Sequence, residues 1–258
     1  MKKRELIKKS SISKNEYQLL EKLKKAGVEM FTTRQALKTT NWNQRKIHQT
    51  LSRLAQKNII NRIKRGEYTI KDMNRIGIEE MVQKTVWPSY ISHWSALSRQ
   101  HLTEQLPRTI FITTTRKSGE TVIQGFKVKY VKVEPYRFFG YEKKGELVVA
   151  EKEKALVESL MQPKYSGGVS EAAKCLKEAW HAVNQDKLVE YALRMRNKTL
   201  IKRLGYLIEV TGLKASVKTL SRLALNTGLG YSRLDPQKPK KGAYSKKWGL
   251  IVNTEVLW

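Results

Sequence analysis

The stretch "NQRKIHQTLSRLAQKNIINRIKRGEYTI", residues 43–70, decides how the first part of the chain folds. Ile47, Leu51 and Leu54 recur at i, i+4 and i+7, the spacing of one inward stripe on a helix, and Asn43 stands where an N-cap belongs. The opposite face then carries Gln44, Arg45, His48, Gln49, Ser52 and Arg53, with Lys46 at its edge. Two short runs follow, joined at Gly66, which supplies the positive φ that a tight hairpin turn needs. Lys64 and Arg65 precede that glycine, so the hairpin has a basic tip.

Upstream, Tyr17, Leu20 and Leu23, with Leu19 beside them, fall at helical spacing, and Gly27 supplies a stop. Phe31 is expected in the core, Thr32 or Thr33 caps a short helix, and Ala36 and Leu37 pack inward. "TNWN" at 40–43 separates this helix from the next. Helix, helix, turn, helix and basic hairpin is the order of a winged helix-turn-helix. In that fold the second helix of the pair enters the major groove of duplex DNA. Arg and Gln suit such a helix because they bond bidentately to guanine and adenine edges. The predicted DNA-binding set is Thr33, Gln44, Arg45, Lys46, His48, Gln49, Ser52 and Arg53, with Lys64, Arg65 and Gly66 of the wing over phosphate or in the minor groove. Between Thr32 and Tyr68 nine basic residues meet a single acid, Glu67. An indifferent solvated face usually mixes signs through i,i+4 pairs; this one does not.

The whole chain points the same way. With 258 residues and 40% hydrophobic content it can build a core, yet its formal net charge is +28. Such an excess strains the compact state by self-repulsion, and a polyanionic partner offsets it. The surplus is clustered: +13 over residues 1–72, +5 over 73–185 and +10 over 186–258. The single cysteine, Cys175, cannot form an internal disulfide, which fits a reducing cytoplasm. The basic N-terminus is not followed by the apolar run of a signal peptide. No apolar stretch approaches the ~18 residues of a membrane span, so no membrane partner is expected.

The overall expectation is an α+β protein: a winged helix-turn-helix over 1–72, then a larger mixed αβ domain over 73–258 with a helical C-terminal half. Residues 73–88 read as a connecting helix that breaks at Trp87-Pro88, with a second helix following. "TIFITTT" (109–115), "FKVKYVKVE" (126–134) and "ELVVA" (146–150) read as strands. From Glu151 the pattern turns helical, and after a Lys/Pro-rich stretch "KWGLIVNT" forms a last strand. Within 186–258, Lys198, Lys202 and Arg203, and likewise Lys214, Lys218 and Arg222, fall close to one helix face each. Two such rows suggest a second basic surface for RNA, further DNA or an acidic protein face.

Taken in order, several short motifs resemble the AbiEi-type antitoxin family of type IV toxin–antitoxin systems, from about residue 16 to the end. They are Arg65-Gly66-x-Tyr68; "YIS" (Tyr90–Ser92) and "SAL" (Ser95–Leu97); "LTEQ" (Leu102–Gln105); Phe139-Gly140; "EKAL" (Glu153–Leu156); Gly167-Gly168; "LDP" (Leu234–Pro236); and "KWGLIVN" (Lys247–Asn253). His101 departs from the pattern, which has glycine before the leucine. The resemblance implies a winged-helix repressor that binds promoter repeats of its own operon. It also implies a C-terminal domain needed to counteract a nucleotidyltransferase-type toxin in abortive infection, without a stable complex being required.

No catalytic residue, cofactor or metal is expected. "GYEKKGE" (140–146) has P-loop glycines, but Glu146 replaces the phosphate-binding lysine, so it reads as a turn before a strand. His48, His93, His101 and His181 lack zinc-ligand spacing. Glu146, Glu151 and Glu153 could anchor a metal-dependent nuclease, the main alternative function beside a plain regulator with no toxin partner. The simpler reading puts Glu151 and Glu153 in a helix first turn, where the dipole favours them. Ser170 reads as the N-cap of the helix after "SGG". The aromatics of "WPSYISHW" (87–94) either stack bases or fill an interdomain core.

Overall fold

The computed structural model describes residues 12–70 and 77–256. The chain divides into two compact units, Met1–Thr85 and Val86–Trp258, so the boundary falls later than the expected one after residue 72.

In the first unit, helix α1 (Lys14–Lys25) begins in a capping box: Ser13 accepts from the Glu16 amide, and Glu16 accepts from the Ser13 amide at 2.7 Å. Glu16 is buried, and Lys57 donates to it at 2.7 Å. Burial pushes its carboxyl up, but the bonds from Lys57 and Ser13 outweigh this and hold it below the usual range. The inward stripe is Glu16, Leu19 and Leu23; Tyr17 points outward, 60% exposed, against expectation. The helix rotates this way because Glu16 must reach both its cap and Lys57.

Strand β1 (Met30–Thr32) leads into α2 (Thr33–Thr40), capped by Thr32 in a second capping box with Gln35. Asn41 ends α2 in the left-handed region. Helix α3 (Gln44–Gln56) is capped by Asn43, and β2 (Asn61–Lys64) and β3 (Glu67–Thr69) form the hairpin. The three strands pair antiparallel in the order β1-β3-β2. Phe31 pairs with Tyr68 and their rings stack at 5.8 Å, closing a core of Leu19, Leu23, Ala36, Ile47, Leu51, Leu54 and Ile60. Each fully buried Leu or Ile there contributes roughly 1.5–3 kcal/mol. Helix α4 (Ile78–Lys84) closes the unit; the start of the expected connecting helix, residues 73–76, lies outside the described residues.

The second unit is built on a six-stranded sheet: β4 (Ser89–Ile91), β5 (Thr109–Thr114), β6 (Gly119–Ile123), β7 (Phe126–Lys132), β8 (Tyr141–Lys144) and β9 (Leu147–Ala150), in the order β6-β7-β5-β4-β9-β8. The pairs β5–β7 and β4–β9 are parallel, and the others antiparallel. Two corrections concern strands. Residues 89–91, read as the start of a helix, are a central strand, and only His93–Arg99 is helical (α5). Residues 141–144, read as a turn, form an edge strand with no buried residue.

Five helices follow: α6 (Lys152–Met161), α7 (Val169–Ala179), α8 (Gln185–Arg194), α9 (Lys198–Val210) and α10 (Val217–Ala224). Every side chain from Glu153 to Leu160 is buried, and α5, α7, α8 and α9 pack around α6. Three short strands, β10 (Ser232–Arg233), β11 (Ala243–Ser245) and β12 (Leu250–Val252), make a second sheet in this unit in the order β10-β12-β11. His101, where the resemblance has glycine, ends α5 with φ +57, the conformation glycine takes without strain.

Candidate nucleic-acid interface

Helix α3 presents the side chains the sequence assigns to it. Ile47, Thr50, Leu51 and Leu54 are buried, whereas Gln44, Arg45, His48, Gln49, Ser52 and Arg53 are exposed. Asn43 accepts from the Lys46 amide at 2.8 Å, which fixes where the helix starts and where its first-turn amides point. An N-terminus of this kind favours an anion. Lys46 is half-buried, its ammonium 4.0 Å over the Trp42 ring. Sequence reasoning passed over Trp42; a tryptophan four residues before a lysine at a helix start was the available signal.

The hairpin tip is organised differently from the expectation that both basic residues reach outward. Lys64 folds back on Glu67 at 2.9 Å and is half-buried, while Arg65 is exposed. Such a pair is worth about 0–1 kcal/mol, so phosphate can displace the carboxylate at little cost. Gly66 has φ +79. Its carbonyl accepts from the Thr33 amide at 2.8 Å and the Thr33 hydroxyl at 3.4 Å. Thr33 therefore ties the start of α2 to the turn, a positioning role the sequence did not disclose because the two residues are 33 apart.

The second basic surface does not form as expected. Lys202 and Arg203 are core residues of α9, 1% and 4% exposed. Lys202 donates to the Gly230 carbonyl at 2.6 Å. Arg203 donates to four backbone carbonyls: Leu234 at 2.7 Å, Leu160 at 3.0 Å, Arg233 at 3.1 Å and Met161 at 3.3 Å. Burial draws its pKa down to about 10, so it stays charged at neutral pH. The other row fails for separate reasons. Lys214 precedes α10, and Arg222 lies 3.7 Å from Asp186. Lys198, Lys214 and Lys218 remain exposed.

Of the carboxylates considered for metal binding, Glu151 and Glu153 have protein partners, and Glu146 is exposed. Glu151 accepts from the Tyr191 hydroxyl at 2.6 Å and lies 3.0 Å from Lys187; Glu153 accepts from the Asn184 amide at 2.9 Å. Among the described residues no group of three or more His, Cys, Asp or Glu is placed to hold a metal. Cys175 is buried, its thiol pushed up to about 12 by burial and by Glu171 and Glu178. The cap before α7 is Gly168, not Ser170, whose hydroxyl instead approaches the Glu255 carbonyl. Tyr90 and His93 belong to the core of the second unit: Tyr90 donates to the buried Glu158 at 2.6 Å and stacks on Tyr141. Trp87 is exposed.

No protein-family model matches the chain, and no curated protein matches it. Among solved structures it is similar to the RV2827C protein from Mycobacterium tuberculosis, with a TM-score of 0.60 at 11% identity, covering 93% of this chain and 92% of that one. What the two share is a fold. That likeness and the elements above make the chain an α+β protein over nearly its whole length. No helix among the described residues is long and apolar enough to cross a membrane.

Proposed function

We propose that the first unit is a winged helix-turn-helix that reads duplex DNA with α3, and that the chain is a sequence-specific repressor and antitoxin of the AbiEi type. One observation carries the DNA reading: the exposed face of α3 holds Gln44, Arg45, His48, Gln49, Ser52 and Arg53 without a carboxylate. The order α1, β1, α2, α3, β2, β3 and the β1-β3-β2 pairing support it, because they set a basic hairpin tip beyond the helix that would enter the groove. Repression of its own promoter and action against a nucleotidyltransferase-type toxin rest on the ordered motifs that resemble that family.

The experiment is to select bound fragments from the DNA around its own gene with full-length protein and to footprint them. A protected inverted or direct repeat upstream of the gene supports the reading; uniform binding to all fragments at ~0.15 M salt, where non-specific contacts already weaken, contradicts it. Co-expression with a nucleotidyltransferase encoded beside the gene tests the antitoxin part, with restored growth as the expected result.

A further inference from the structure

A cleft in the second unit carries chemistry that DNA reading does not use. Two cross-strand rows of β6, β7 and β5 share one sheet face: Glu120, Lys129 and Phe111, then Val122, Lys127 and Thr109. Further along the same face Val131 and Thr113 are buried. The covered face thus gives way to lysines, and the turn at Pro163–Tyr165 walls the opening. The cleft measures about 530 Å³, within the roughly 300–1,000 Å³ of small-molecule sites.

Its wall is aromatic and held in place. Tyr165 packs on Phe111 at 5.5 Å and edge-on to His93 at 5.4 Å, and Phe111 is nearly buried. Its charge is positive. Glu120 is the one carboxylate among the described lining residues and is paired with Lys129 at 2.9 Å. Lys127 and Lys164 are exposed, neither forms a salt bridge among the described residues, and the Lys164 ammonium lies 4.8 Å from the Tyr165 ring centre. A flat ring suits the Tyr165 and Phe111 side; a polyanionic group suits the two exposed ammonium groups.

We propose that this cleft binds a nucleoside phosphate, with the base against Tyr165 and the phosphates against Lys127 and Lys164. The ligand is either a free nucleotide or the terminal nucleotide of a single strand, since both present a base and a phosphate together. Stacking adds what charge alone does not, so a nucleotide binds more tightly than a ringless polyphosphate.

The test is isothermal titration of full-length protein with ATP, GTP, CTP and UTP, with tripolyphosphate and adenosine as partial ligands. A 5′-phosphorylated ten-residue oligoribonucleotide separates the two sources: tighter binding than any free nucleotide identifies the strand end, weaker binding the free nucleotide. At least one nucleotide should bind one-to-one and about tenfold more tightly than tripolyphosphate, the factor one stacked base supplies. Lys127→Ala with Lys164→Ala should weaken it about tenfold, with thermal melting and duplex-DNA binding unchanged. Duplex binding reports on the first unit, which holds α3 and the hairpin tip, so the two readings fail separately. Equal affinity for tripolyphosphate and every nucleotide, or an unchanged double variant, overturns the proposal.

Discussion

Helices α3 and α9 carry the same kind of side chain to opposite ends. Arg45 and Arg53 of α3 stand in water, whereas Lys202 and Arg203 of α9 are enclosed and donate to backbone carbonyls. What separates them is the rest of each helix. On α3 the apolar residues fill one stripe and leave a polar face. On α9, Leu200, Ile201, Leu204, Gly205, Leu207 and Ile208 are buried around the basic pair, so that pair has no solvent face to occupy. A buried cation must be satisfied by acceptors, and the chain at 229–234 and the end of α6 supply them as carbonyls. A basic residue on a helix is therefore evidence of a partner outside the protein only where the helix has an unburied face.

The largest effect expected from this contrast is on stability. Arg203→Met should cost about 3–5 kcal/mol in urea unfolding, because four backbone carbonyls, bonded to it in two buried and two part-buried hydrogen bonds, lose this donor. Arg53→Met on the outer face of α3 should stay within about 0.5 kcal/mol. Equal losses for the two would break the comparison.

Next in size is Gly205→Ala. A methyl group there would lie 2.0 Å from the Trp248 ring, whose indole nitrogen donates to Glu209 at 2.7 Å. Overpacking of this kind costs about 1–3 kcal/mol; Ser52→Ala, on the open side of α3, should leave the unfolding midpoint in place. Tryptophan fluorescence of the Gly205 variant reports the displaced ring.

The contrast also explains what could be read from the sequence. Caps at Thr32 and Asn43, the stripe Ile47, Leu51 and Leu54, and the turn at Gly66 are local, and each appears where the sequence puts it. Lys202 and Arg203 were misread because spacing shows a row of charges but not the carbonyls, 28 to 43 residues away, that receive them. Tyr17 was misread because the Glu16–Lys57 pair that turns α1 spans 41 residues. The strand 89–91 is only three residues long and reveals itself through its partners on β5 and β9. The edge strand 141–144 has no buried residue to show an alternation.

Smaller effects are expected at the tip of the β2–β3 hairpin. Lys64→Ala with Arg65→Ala should weaken every duplex alike and reduce the salt slope by about one unit per lost phosphate contact. A slope unchanged in both would confine DNA contact to α3. Gly66→Val should lower stability as well, since a β-branched residue resists φ +79.

The smallest effect is expected where the second basic surface has lost its centre. Lys198→Ala, Lys214→Ala and Lys218→Ala together should change unfolding by less than about 0.5 kcal/mol and leave operator affinity intact. These exposed lysines test a surface role in counteracting a toxin, whereas replacing Lys202 or Arg203 removes core contacts. Lost rescue with retained repression would give the second unit a charged face for that task.

The most direct measurement compares Arg45→Ala with the unaltered protein on the selected operator and on an unrelated duplex of equal length and salt. Reading of bases by α3 predicts a loss of about 1–3 kcal/mol on the operator, relaxed preference at one base pair and little change on the unrelated duplex. An equal loss on both would reduce Arg45 to a phosphate contact, and no loss on either would contradict the assignment of α3 as the reading helix.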